Sequence, residues 1–160
     1  MRTVHPQIET QPAPQKLKTE PQEIRIFLVD DDKAYLFALG FHLKKELKYK
    51  VYCYESGEEC LKNLHLNPDI IILDYYLNSA DAEAINGLDT LKLIKKRKPR
   101  TEVVMLSGQE TLSVAASSLK LGAFTYVIKD LNTLFVIRKL IDEICSRNNP
   151  HGSGTRTSWK

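Results

Sequence analysis

Ile70-Ile71-Ile72-Leu73 is the stretch that most limits what this chain can become. Four consecutive large apolar residues, three of them β-branched, have no polar face to turn to water. They suit a strand covered on both sides, as in the middle of a parallel sheet. The run stops at a carboxylate, Asp74. In open parallel α/β sheets ligands collect outside the carboxyl ends of the strands. Asp74 is therefore either a working acid or the first polar residue of a loop, and this strand alone does not choose between them.

The segments on either side repeat the pattern. Ile24–Val29 is apolar and ends at Asp30, Asp31 and Asp32. Residues 33–47 show helical spacing, with a stripe at Ala34, Phe37, Ala38 and Phe41. A short strand at 50–54 precedes Ser56-Gly57-Glu58-Glu59, a capping-box signature that opens a helix to about Leu64. After the Asp74 strand come a loop, a helix over about 88–98, and a strand at 103–106 ending in Ser107-Gly108. A helix over 110–121 carries its stripe at Leu112, Ala115, Ala116 and Leu119, with Gly122 as its stop signal. A strand over 123–128 ends in Lys129, and a last helix spans 131–145. Strands that alternate with helices predict right-handed βαβ units and one parallel sheet in an α/β fold.

Composition bounds the rest. Residues 1–23 hold four prolines, four glutamines and no aromatic residue, which predicts a disordered N-terminal tail. Residues 147–160 read as a flexible C-terminal tail. The formal net charge of +3 comes from that C-terminal segment, because residues 24–146 balance 17 basic against 17 acidic groups. A neutral core gives no reason to expect nucleic acid. The basic run Lys92, Lys95, Lys96, Arg97, Lys98 and Arg100 suits a helix C-terminus, where cations offset the macrodipole. No apolar run is long enough to span a membrane, and the N-terminus lacks a signal-peptide core. Three cysteines without ligand spacing read as free thiols, so a cytoplasmic protein is expected.

Four of the five strands thus end in polar groups at one sheet edge: Asp30 and Asp31, Asp74, Ser107, and Lys129. Carboxylates gathered there raise one another's pKa unless a cation intervenes. Mg²⁺ accepts one or two carboxylates together with a phosphate oxygen. A lysine and a hydroxyl beside it would stabilise a transferring phosphoryl group, with one carboxylate as the nucleophile.

The series LVDDD…IIILD…VVMLSG…FTYVIKD resembles the receiver domain of two-component response regulators over about residues 24–146. The resemblance implies a flavodoxin-like, doubly wound, three-layer fold with strand order 2-1-3-4-5. It implies phosphorylation at Asp74, and Mg²⁺ (or Mn²⁺) held by Asp30, Asp31, Asp74 and the backbone carbonyl of Tyr76. Ser107 and Lys129 would stabilise the phosphoryl group, and Ser107 and Tyr126 would form the switch. Tyr76 and Gln109 would tune phosphoryl lifetime. The partners implied are a histidine kinase or histidine phosphotransfer protein, and a target bound through the face made by the fourth helix, fifth strand and fifth helix. Homodimerisation stays open. Such a protein is a signalling phospho-acceptor, catalysing only its own phosphorylation and dephosphorylation. No output domain is expected after residue 146.

Two departures from the family pattern stand out. Asp130 follows Lys129 where a proline is common, which predicts a trans peptide there. The loop between Asp74 and Gly87 is long and carries Asn78 where proline is common. Its Ser79 and alanines predict a helical turn near the pocket. Two alternatives compete. Asp30, Asp32, Ser107 and Lys129 also resemble three motifs of haloacid-dehalogenase-like phosphohydrolases, with Asp30 as nucleophile and Asp32 as acid/base. That scheme lacks its fourth acidic motif, since Asp142 lies too far along a helix, and it leaves Asp74 without a role. A phosphorylation-silent receiver acting as a binding module is the other, although no pocket group is missing.

Overall fold

The computed structural model describes residues 23–77, 84–109 and 111–148. Five strands alternate with five helices: β1 (Ile24–Val29), α1 (Lys33–Leu43), β2 (Tyr49–Tyr54), α2 (Gly57–Lys62), β3 (Ile70–Asp74), α3 (Gly87–Arg97), β4 (Glu102–Ser107), α4 (Leu112–Lys120), β5 (Thr125–Ile128) and α5 (Thr133–Asn148). All strand pairs are parallel and the order is β2-β1-β3-β4-β5.

The central strand behaves as its composition dictates. Every residue of β3 is buried, and Ile70 and Ile72 face one layer while Ile71 and Leu73 face the other. Ile70 and Ile72 join Ile26, Leu28, Val104 and Leu106 beneath α1 and α5. Ile71 and Leu73 join Phe27, Val29, Val103 and Met105 beneath α2 and α3. Burying each such side chain is worth about 1.5–3 kcal/mol. The same alternation sends Asp74 toward the α1–α5 side, one step beyond the hydrophobic layer.

The helices correct several expectations. In α1 the buried face is Leu36, Leu39, Gly40 and Leu43, while Phe37 and Phe41 are 75% and 54% exposed. The period is as expected but the phase is not. Residues 34–43 are apolar or small almost throughout, so spacing alone cannot choose a face. Gly40 settles it, since a Cβ there would stand 3.1 Å from Cys53 Sγ and the helix needs that closeness to lie on the sheet. In α4 the buried residues are Val114 and Ser118, and Leu112 and Leu119 point outward. Ser118 satisfies its hydroxyl on the Val114 carbonyl at 2.8 Å, so it can take an inner position.

Smaller shifts have local causes. Ser56 Oγ caps the Glu59 amide at 3.2 Å, but the Glu59 carboxylate reaches Glu55 N (3.1 Å) rather than the amide of Ser56. α2 ends at Lys62, and a 3-10 turn (Leu64–Leu66) stops at Asn67 in the left-handed region, φ 52°. α5 begins at Thr133, not Leu131, because Asp130 turns the chain first, its Oδ1 accepting from Asn132 N at 2.8 Å. It then continues past Cys145 to Asn148. Lys95, Lys96 and Arg97 occupy the last turn of α3. Residues 78–83, and with them the expected turn capped by Ser79, lie outside the described residues.

Candidate functional site

The polar strand ends meet. Asp30 follows β1 and is 2% exposed; its Oδ1 accepts from Asp32 N at 3.0 Å. Asp74 closes β3 and is equally buried. Lys129 follows β5 and places Nζ 2.6 Å from Asp30 Oδ2 and 2.8 Å from Asp74 Oδ1. The buried Asp74 Oδ1 thus has the Lys129 ammonium as its ion-pair partner. Asp31 is exposed, yet its carboxylate joins those of Asp30 and Asp74 with ligand atoms all within 4.8 Å of one another. Three carboxylates gathered at that spacing around one ammonium fit a hard divalent cation with oxygen ligands.

Electrostatics agree with that reading. Burial raises the Asp74 carboxyl above its ordinary range and Asp31 adds to the rise, against the pull of Lys129 and the Tyr76 amide. Asp30 is raised too, by burial first and by the charge of Asp74, with Lys129 opposing. Burial would push Lys129 down, but its two carboxylate partners outweigh that and hold its ammonium above the usual value. One cation serves two buried acids, with a third acid nearby.

The β4 end supplies the rest. Ser107 is 1% exposed, and its Oγ donates to Gln109 O (3.1 Å) and accepts from Gln109 N (3.2 Å). Tyr126 OH donates to the same Gln109 carbonyl at 2.8 Å. Tyr76 OH donates to Gln109 Oε1 at 3.0 Å, spanning from the β3 loop to the β4 loop. Lys129 N donates to Ser107 O at 2.7 Å, which fixes the lysine's backbone to β4. No described peptide is cis, so Lys129–Asp130 is trans.

Behind Asp74, Gly87 opens α3. A Cβ there would lie 2.3 Å from Asp74 O and 2.7 Å from Tyr75 Cα, so only glycine lets the helix start against the acceptor's own peptide. Asn86 caps that helix, accepting from Asp89 N at 2.9 Å.

One residue of the site escaped sequence reasoning. Tyr35, in the first turn of α1, sets its ring 4.6 Å from Lys129 Nζ. Only its place five residues after Asp30 could have hinted at this. Asp32, the acid/base of the phosphohydrolase alternative, is the N-cap of α1 and accepts from Ala34 N (2.9 Å) and Tyr35 N (3.1 Å). Asp142 pairs with Lys48 at 3.2 Å, away from the pocket.

A doubly wound sheet with a carboxylate cluster, a lysine and a hydroxyl at its strand ends defines a class of phospho-accepting signalling domains. Comparison with known proteins agrees. Residues 26–141 match the response regulator receiver domain, and the chain belongs to that family. An NtrX-like response regulator of Rickettsia felis is 31% identical over 111 residues, covering 69% of this chain and 22% of the relative. The chain thus spans less than a quarter of that relative's length. The CheY-like receiver domain protein of Methanospirillum hungatei JF-1 superposes with a TM-score of 0.68 at 25% identity, covering 79% of this chain and 98% of that one. The response regulator domain of Thermotoga maritima CheB gives 0.64 at 26% identity, covering 80% and 98%. Among the described residues no helix is long and apolar enough to cross a membrane.

Proposed function

We propose that this receiver takes a phosphoryl group onto Asp74 from a phosphohistidine of a kinase or phosphotransfer protein. The observation that carries the reading is the buried Oδ1 of Asp74, paired with the Lys129 ammonium at 2.8 Å and gathered with two other carboxylates. An Asp74 carboxylate oxygen attacks phosphorus, the donor's P–N bond breaks with its electrons leaving on the imidazole, and an acyl phosphate forms. Asp30, Asp31, Asp74 and the Tyr76 carbonyl would hold Mg²⁺, which when bound neutralises charge on the carboxylates and the incoming phosphoryl oxygens. Both oxygens of Asp30 already accept hydrogen bonds, which suits a role through bound water rather than direct ligation. Lys129 keeps a positive charge beside the phosphoryl oxygens.

The switch has a physical basis in a shared acceptor. Ser107 and Tyr126 both donate to the Gln109 carbonyl. When Ser107 turns its hydroxyl toward the phosphoryl group, that carbonyl is left to Tyr126 and the β4–α4 loop is free to move. Leu112 and Leu119 on α4, Ile128 at the end of β5 and Phe135 on α5 are exposed on the face proposed to read the change. We also take residues 24–146 as the receiver proper, working by protein contact, and as cytoplasmic.

Intact-mass measurement with acetyl phosphate tests this. One phosphoryl group should add to the wild type when Mg²⁺ is present, and none to Asp74→Asn. An equally phosphorylated Asp74→Asn would refute the assignment, and phosphate-monoester turnover that requires Asp30 but not Asp74 would favour the phosphohydrolase. A wild type that stays unmodified with every donor would favour the phosphorylation-silent module.

A further inference from the structure

We propose that Tyr35 is a positioning residue for Lys129, its ring face holding the ammonium at the pocket while the carboxylates are engaged by a divalent cation. The proposal rests on the reading of Lys129 as the phosphoryl-pairing group and adds a residue to it.

The ammonium of Lys129 has neighbours of two kinds. Two are charged oxygens, Asp30 Oδ2 at 2.6 Å and Asp74 Oδ1 at 2.8 Å. The third is the Tyr35 ring at 4.6 Å, within cation–π range. A divalent cation in the Asp30–Asp31–Asp74 cluster competes with Lys129 for those oxygens. The ring face offers such a hard ion no oxygen ligand, so that contact remains with the ammonium. Lys129 is only 19% exposed, which leaves water little part in holding it.

The ring packs against the apolar layer beneath α1 and α5. Asp32 Oδ1 caps the Tyr35 amide at 3.1 Å, and Asp30 begins the same turn, so one six-residue segment brings both a carboxylate and a ring to one ammonium. On the lysine's side, the Asp130 amide donates to Thr133 Oγ1 at 2.7 Å, a bond that a proline at 130 would remove. The Tyr35 hydroxyl is buried beside Thr133. The contact with the ammonium is made by the ring and not by the hydroxyl.

The test uses the full chain with ¹³C,¹⁵N-labelled lysine, read by NMR with and without saturating Mg²⁺, beside acetyl phosphate kinetics. Lys129→Arg assigns the signal. The ε-methylene and ammonium protons of Lys129 should lie upfield of the other lysines through the ring current, and should stay there with Mg²⁺. Tyr35→Phe should keep both the shift and the rate. Tyr35→Leu should lose the shift and slow phosphorylation at saturating Mg²⁺ by roughly five- to thirty-fold, the range of a cation–π contact from partly to fully desolvated. No upfield shift in the wild type, its loss on adding Mg²⁺, an unslowed Tyr35→Leu, or a Tyr35→Phe as slow as Tyr35→Leu would each overturn the proposal. If Tyr35→Leu does not fold, retention or loss of the wild-type shift with Mg²⁺ decides. A wild type that shows the shift but is never phosphorylated refutes the phospho-acceptor reading on which the proposal depends.

Discussion

Three side chains reach Gln109: Ser107 and Tyr126 at its carbonyl, and Tyr76 at its amide oxygen. The last bond ties the loop after Asp74 to the loop after β4 and so braces the Tyr76 ring, which is proposed to shield the phosphoryl group from water. Tyr76→Ala should hydrolyse its acyl phosphate about two- to tenfold faster, a tenfold change being about 1.4 kcal/mol of barrier. Tyr76→Phe, which keeps the ring and loses the brace, should fall between that variant and the wild type. Decay followed by intact mass checks both, and a longer lifetime in Tyr76→Ala would end the shielding idea. The carboxylates give a second residue-scale prediction. Burial raises Asp30 and Asp74 in the fold, so their contribution to stability is full below the ordinary carboxylate range and is lost as pH rises through their raised values. A divalent cation supplies the missing positive charge. Mg²⁺ should therefore raise the melting temperature more at pH 7 than at pH 4.5, with a gain of about 2.7 kcal/mol at a hundredfold excess over its dissociation constant. An equal gain at both pH values would contradict the proposed site. Among the thiols, burial pushes Cys60 up to about 12 and raises Cys53 as well, but Cys53 stays exposed to reagent. Iodoacetamide at neutral pH should alkylate Cys53 and spare Cys60 until the protein is unfolded, as peptide mass mapping would show.

At the scale of elements, the start of α3 is the tightest joint. Gly87→Ala would force the helix off the Asp74 and Tyr75 backbone, and should cost about 1–3 kcal/mol, the range for overpacking. It should also slow phosphorylation, because the acceptor's own peptide would shift. Denaturant titration and acetyl phosphate kinetics would check the two effects together. In α1, Leu39→Ala should cost about 2–5 kcal/mol, whereas Phe37→Ala should stay within about 0.5 kcal/mol, since Leu39 is buried and Phe37 exposed. That pair also shows what sequence could and could not disclose. Strands were legible because an unbroken apolar run can only be covered on both faces, and the acids that end β1 and β3 announced the edge where the site lies. Gly122, at φ 92°, ends α4 as its chemistry requires. The faces of α1 and α4 were not legible, because apolar residues line more than one side of each and the true inner face depends on how closely each helix can lie on the sheet. Tyr35 was hidden for the same reason: in a run of apolar residues an aromatic reads as core, and its partner is 94 positions away.

For the whole molecule, the pocket is a product of topology. β1 and β3 are neighbours, and β4 and β5 continue the sheet on the far side of β3. Asp30, Asp74, Ser107 and Lys129 therefore meet only when the sheet is complete, and the Lys129–Asp30 contact joins residues 99 positions apart. Ile72→Ala, in the core beneath α1 and α5, should cost about 2–5 kcal/mol. Its phosphorylation in denaturant should fade with the unfolding transition and not before it. The span from residue 30 to residue 129 also has a meaning in time. At roughly 5–20 residues per second, a ribosome makes Asp30 and Asp74 seconds before it makes the lysine that balances them. Until β5 is released and docked, the acids have no protein cation and the lysine's place in the pocket is vacant. If Asp74 is the acceptor as proposed, a chain whose β5 has not docked lacks the lysine that pairs with the phosphoryl group, and acceptance of that group reports a sheet complete through β5.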